Sequence, residues 1–160
     1  MVTVLIPVTN VVPTENGIIR EIWIKASGLT GLVSAATPTV VNALQNPFND
    51  DLVIVGASLY VATASGAVAT DMDIGLADDA AGTNIGAELA DGLVAATLDA
   101  VGVKELGAVH AIGAPPAEVI WKAKGAATDS YVATIQRGNL DAHTLVANLL
   151  LRCIKVTDIS

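Results

Sequence analysis

The chain has 160 residues, enough for one domain with its own core, and its net charge of -8 repels phosphate, which argues against nucleic-acid binding. Its mean hydropathy is +0.60 although only 3% of residues are aromatic, so the apolar content is aliphatic. Polar residues or prolines interrupt every aliphatic run before it reaches the roughly 20 residues of a membrane-spanning helix. We therefore expect this aliphatic surface to be buried against other subunits.

The N-terminal segment predicts an extended arm. Residues 1–13 are apolar, Pro7 and Pro13 punctuate them, and no adjacent hairpin signal offers a partner strand. We assign residues 1–17 to the arm and residues 18–160 to a single sandwich domain, and we expect the arm to contact a neighbouring subunit rather than its own sandwich. The alternative is an ordinary edge strand. The segment has neither a basic region nor a long apolar stretch, so it predicts no secretory signal.

A turn rich in Asn and Asp, residues 45–51, leads into a strand. Pro47 fixes its own φ and keeps Asn46 out of the helical region, and the Asn and Asp side chains that follow can bond their own backbone. Residues 52–63 are then apolar on both faces, which predicts a cover on each side of this strand.

Alternating apolar and polar side chains predict further strands. Ile22 and Ile24 share one face of their segment, and Ile74 and Leu76 share one face of theirs. The predicted strands are residues 18–25, 52–63, 71–76, 118–124, 131–136 and 149–156.

Many short strands separated by Gly, Asn and Asp turns predict the fold class. We expect an all-β fold, an antiparallel β-sandwich of the jelly-roll or Greek-key kind, with the N-terminal arm and at most one short helix. The candidate helix is residues 88–101, where Leu89, Leu93 and Leu98 would line one face.

Candidate catalytic and metal-binding residues are few. His110 and His143 have no further histidine or cysteine at metal-ligand spacing. The one cysteine, Cys153, lies in an apolar run that predicts a buried and inert thiol, and its isolation is typical of a protein made in a reducing cytoplasm. We therefore expect a protein that is not an enzyme and that uses no cofactor and no metal.

Two further groups have a functional and a structural interpretation. The carboxylates of Asp71, Asp73, Asp78 and Asp79 suggest calcium, but they lack the twelve-residue loop pattern, so we expect outward-facing side chains on a strand and its turn. Trp23 and Trp121 would suit a sugar-stacking platform, and packing in the core or at an interface is the interpretation we favour.

The order of several segments resembles a family of small tailed-bacteriophage virion proteins. Members carry an Asn-Pro-Phe turn with acidic residues and a hydrophobic strand, a turn rich in Thr, Gly and Ala, an Asp-x-Gly-x-Ala strand, an Asp-Gly-Leu segment and a late tryptophan. The matching segments here are residues 45–55, 60–66, 73–77, 90–93 and 150–156, with Trp121 as the late tryptophan.

This resemblance implies a head decoration, or cement, protein. Such a protein is a jelly roll that trimerises on the outside of the capsid, binds the major capsid protein and braces neighbouring capsomers, with no catalytic residue. It implies a place on the outer surface of the virion, after synthesis in the host bacterial cytoplasm. The alternative is a tail or fibre module that recognises a host glycan. The residues expected at interfaces are Val4, Leu5, Ile6, Pro7, Val8, Trp23, Phe48 and Trp121.

Overall fold

The computed structural model describes residues 3–4, 7–13, 20–29, 39–64, 71–81, 85–93, 101–106, 119–137 and 145–158. These ranges form eleven strands and one turn of 3₁₀ helix, Val156–Asp158. The strands are β1 (Thr3–Val4), β2 (Pro7–Pro13), β3 (Arg20–Leu29), β4 (Thr39–Gln45), β5 (Leu52–Thr63), β6 (Asp71–Ala77), β7 (Ile85–Leu93), β8 (Gly102–Leu106), β9 (Val119–Trp121), β10 (Tyr131–Arg137) and β11 (Val146–Lys155). No helix in these ranges is long and apolar enough to cross a membrane.

The strands form two sheets. The first has the order β1-β4-β10-β6-β7, and the second has the order β2-β3-β11-β5-β8, with β9 also pairing to β5. Every pairing is antiparallel except that of β1 with β4.

The pairing pattern is that of a jelly roll. When β3, β4, β5, β6, β7, β8, β10 and β11 are taken in order, the first pairs with the last, the second with the seventh, the third with the sixth and the fourth with the fifth. A long antiparallel hairpin that is folded over into two sheets gives this pattern. The predicted antiparallel β-sandwich is confirmed.

The core lies between the two sheets and is almost entirely aliphatic. Ile22 and Ile24 of β3 are buried, as are Ile74 and Leu76 of β6, so the inward faces predicted from alternation are confirmed. Strand β11 follows the same period of two, with Leu149, Leu151 and Cys153 in the core. One cluster of buried side chains includes residues of both sheets, such as Ile74 of β6 and Leu149 of β11, so packing joins the two sheets.

Strand β5 has one covered face and one open face. Its inward residues include Leu52 and Leu59, which are fully buried, whereas Val55 and Tyr60 on the other face are 42% and 45% exposed. The expectation of a cover on each side is therefore wrong at these two positions. Their exposure leaves apolar side chains on the outside of the second sheet.

The N-terminal segment pairs with its own sandwich, which corrects the prediction of an arm. Pro7–Pro13 forms an edge strand against β3, and Thr3–Val4 adds to the edge of β4. The two prolines lie at the ends of β2, where a missing backbone donor is tolerated on an edge strand. The alternative, an edge strand, is confirmed for these residues. The predicted boundary at residue 17 lies outside the described residues.

The candidate helix is wrong for the part that the structure describes. Ile85–Leu93 is strand β7 and pairs with β6, so that Glu88 lies opposite Gly75 and Leu93 opposite Met72. Helix propensity is a weak preference, and pairing with the free edge of β6 outweighs it here. Residues 94–100 lie outside the described residues.

Candidate functional site

A buried asparagine ties together the loops at one end of the sandwich. The side-chain nitrogen of Asn46 lies 3.1 Å from the backbone oxygens of Asp50 and Trp121 and 2.9 Å from that of Lys122. Its side-chain oxygen accepts a hydrogen bond from the Phe48 backbone N–H at 2.9 Å. Asn46 is fully buried, so these bonds satisfy groups that water does not reach. The turn predicted from this segment is confirmed, and its role here is structural.

The two acidic residues of this turn bind lysines of the same chain. Asp51 accepts hydrogen bonds from the Lys122 side chain at 2.9 Å and from the Ala123 backbone at 2.8 Å, and the pKa of its carboxyl is lowered chiefly by the Lys122 bond. Asp50 pairs with Lys155 at 2.6 Å, and the Lys155 amine lies 5.5 Å from the centroid of the Phe48 ring. The Asp50 pair joins the turn to β11, and the Asp51 bonds join it to the loop after β9.

Trp121 and Phe48 were expected at an interface. Trp121 is fully buried, and its indole N–H donates to the backbone oxygen of Ser130 at 3.0 Å. The interface prediction is wrong for Trp121, because the chain itself encloses the side chain, and the same enclosure excludes a sugar-stacking role. Phe48 is half-buried and packs against the core beneath Lys155.

Among the other residues expected at interfaces, Val4 lies in β1, and Pro7 and Val8 lie in β2. The structure describes only their backbone, so that expectation stays a prediction. Leu5 and Ile6 lie outside the described residues.

The large hydrophobic side chains that are exposed in the described part of the chain all lie on or beside three neighbouring strands, β11, β5 and β8. Val103 lies directly opposite Tyr60 and is 63% exposed. We call this surface the outer face of the second sheet. Its exposed large hydrophobic residues are Val55, Tyr60, Val101, Val103 and Val146.

A shallow groove of about 470 Å³ crosses this outer face. Strand register builds it, since Trp23 of β3 lies opposite Arg152 of β11, and Leu150 of β11 lies opposite Ser58 of β5. The residues that line it are Trp23, Ser58, Tyr60, Val103, Leu150 and Arg152. Trp23, one of the residues predicted at an interface, thus lines a surface groove.

The guanidinium of Arg152 is held in place from two sides. Its central carbon lies 5.8 Å from the centroid of the Trp23 ring, and the Trp23 indole N–H donates to Glu21 at 3.2 Å. On the other side it lies against Gly56, where a Cβ atom would come within 2.8 Å of the guanidinium nitrogens. Within the described ranges, no carboxylate pairs with Arg152, which is exposed.

Sequence reasoning missed Arg152, Tyr60 and Gly56. Arg152 stands in an apolar run whose alternate members are buried, so the period of β11 did mark it as an outward residue. Its juxtaposition with Trp23 and Gly56 depends on the register of β11 with β3 and β5, and no motif in the sequence reports that register.

The remaining candidate residues have structural surroundings. Burial raises the pKa of the Cys153 thiol to about 12, which keeps it protonated. Asp78 accepts from the Asp129 backbone at 3.0 Å and Asp79 from the Ala81 backbone at 2.9 Å, so both side chains bond loop amides. No three His, Cys, Asp or Glu residues come together as a metal site in the ranges described. The side chains of Asp71 and Asp73, and all of His110 and His143, lie outside those ranges.

Comparisons of the chain with protein-family models, with curated proteins and with solved structures gave no match. The likeness to phage virion proteins therefore stays a prediction from the order of sequence segments.

Proposed function

We propose that this chain is a structural virion protein that decorates the outer surface of a tailed-phage head, binds the major capsid protein and bridges capsomers. The observation that carries the proposal is the outer face of the second sheet, which exposes Tyr60 and four valines and bears a groove lined by Tyr60, Val103 and the half-buried Trp23. Exposed apolar side chains gathered on one face typically mark a site of protein association. The order of the sequence segments supports the phage head as the place of that association.

A purely structural role, in which the protein only binds and bridges, fits the free energy that such a surface provides. Burial of apolar area contributes roughly 25 cal/mol per Å², although part of this gain is lost to the entropy of association. We propose that the protein is a homotrimer, because three linked copies convert weak single contacts with the shell into strong attachment. Each copy then adds buried area between capsomers, and the sum over a head resists the pressure of packaged DNA.

The experiment uses heads purified from phage whose gene for this chain is deleted. Purified protein is added to them, and electron microscopy compares heads with and without it. The proposal predicts extra density at repeated positions on the outer shell and a higher temperature of DNA release. Heads that gain no density at saturating protein would contradict it.

A second candidate function is host-glycan recognition by a tail or fibre module. The observation in its favour is that Trp23, Tyr60 and Arg152 meet in one exposed groove, since aromatic rings beside a charged group are typical of sugar sites. Localisation distinguishes the two candidates. Labelled antibody on tails rather than heads, together with retention of the protein on host-cell polysaccharide, would favour the glycan function.

A further inference from the structure

We propose that Arg152 is the anchor of the head-binding surface and receives an Asp or Glu side chain from the shell protein. The outer face of the second sheet would then be the face that lies against the head. This inference rests on the proposed decoration function and adds to it the attachment face and the chemistry of the partner. It starts from one exposed guanidinium that lacks a carboxylate partner within the described residues.

The first argument is that Arg152 is oriented before any partner arrives. Trp23 lies on one side at 5.8 Å from ring centroid to guanidinium carbon, and Glu21 fixes the indole of Trp23 at 3.2 Å. Gly56 leaves room on the other side, and it lies at a bulge of β5, where Val55 is the extra residue. A guanidinium held in this way loses less entropy when it binds a planar carboxylate.

The second argument is charge complementarity. The chain carries a net charge of -8, yet Lys25, the next outward residue of β3 after Trp23, is a second exposed cation. Neither Lys25 nor Arg152 pairs with a carboxylate in the part of the chain that the structure describes. These two cations lie on the same face, where the Glu21 carboxylate already accepts the Trp23 indole N–H, and they favour an acidic patch on the partner.

The third argument is the apolar surround, which favours a protein over a sugar. Leu150 and Val103 line the groove, and Val55, Val101 and Val146 lie on the same face. Among the polar side chains that line the groove, the Trp23 indole already donates to Glu21 and Ser58 already has an interaction within the chain, which leaves Tyr60 and Arg152 to hydrogen-bond a saccharide. The guanidinium also covers one face of the Trp23 ring, so that face is not free to stack on a sugar. Trp, Tyr and Arg ringed by aliphatic contacts form the usual centre of a protein interface.

The test measures binding of purified variants to heads that lack the protein. Arg152→Glu reverses the charge of the anchor, and Gly56→Ala displaces the guanidinium while it keeps the charge. The matched control is Lys124→Glu, the same reversal at an exposed lysine on the loop at the end of the sandwich, where the Lys124 backbone N–H donates to the Phe48 carbonyl. Urea unfolding of every variant checks that the sandwich is intact.

We expect Arg152→Glu to bind about tenfold more weakly or worse, because it sets a carboxylate against a carboxylate. Gly56→Ala should fall between this variant and the wild type, and Lys124→Glu should bind as the wild type does. Higher salt should weaken wild-type binding more than that of Arg152→Glu.

Three outcomes would overturn the inference, and they can be told apart. If the wild type and a folded Arg152→Glu bind heads equally, the anchor is wrong and the decoration function stands. If the wild type does not bind heads at all, the proposed function fails and the inference fails with it. If the wild type does not bind heads, and host-cell polysaccharide retains the wild type but not Arg152→Glu, the groove is a sugar site.

Discussion

Asn46 shows how one buried side chain fixes the end of the sandwich. Its side-chain N–H groups donate hydrogen bonds to the backbone oxygens of Asp50, Trp121 and Lys122, which belong to two segments far apart in sequence. We predict that Asn46→Ala lowers the free energy of unfolding by about 3 kcal/mol, since buried carbonyls lose their donor. Urea unfolding measures the change, and Asn49→Ala, at an exposed position of the same turn, is the control. A loss below about 1 kcal/mol for Asn46→Ala would contradict the assignment.

Cys153 gives a prediction for alkaline pH. Its pKa rises from 9.0 to about 12 because burial disfavours the thiolate, so folding favours the protonated thiol. The contribution of the protonated thiol to the free energy of unfolding is fully present below pH 9 and is lost as the pH rises toward 12. We predict that Cys153→Ala costs about 1–2 kcal/mol at neutral pH but loses less stability than the wild type above pH 9.

A thiol reagent provides an independent check on Cys153. The native protein should react slowly at neutral pH and rapidly in urea, because the reactive thiolate forms only when the side chain is exposed. Immediate labelling of the native protein would show that the thiol is accessible.

At the scale of elements, strand β2 is the clearest correction to the sequence prediction, because residues expected in an arm form an edge strand of the sandwich. Pro7–Pro13 covers the outer edge of β3 through seven antiparallel positions. We predict that deletion of residues 1–13 lowers the free energy of unfolding by about 3–5 kcal/mol, from the loss of strand hydrogen bonds and packing. Calorimetry and gel filtration measure the loss and any self-association through the newly open edge. An unchanged melting temperature would show that these residues do not stabilise the sandwich.

Strands whose inward and outward faces differ in polarity could be predicted from the sequence by alternation. Simple alternation of apolar and polar side chains indicates a half-buried sheet. The burial of the apolar members is confirmed for Ile22, Ile24, Ile74 and Leu76. Residues 88–93 have a sequence that suits both helix and strand, since Leu and Ala occur in both, and pairing with β6 decides for the strand. The groove depends on the lateral register of four strands, β3, β11, β5 and β8, and local patterns carry no information about that register.

At the scale of the whole molecule, the aliphatic excess of the chain argues for association between copies. We predict a homotrimer in solution, with a sedimentation mass about three times the 16.2 kDa of the chain. The physical reason is that burial between copies removes apolar surface that a monomer would expose to water. A compact monomer at micromolar concentration would count against the trimer.

The most direct measurement of the central claim is a density map of phage heads with the protein bound, at a resolution that separates strands. The account predicts a jelly roll on the outer shell, with the outer face of the second sheet against the shell protein and an acidic side chain at Arg152. Density in which that face points to solvent, or in which the protein is found only on the tail, would contradict it.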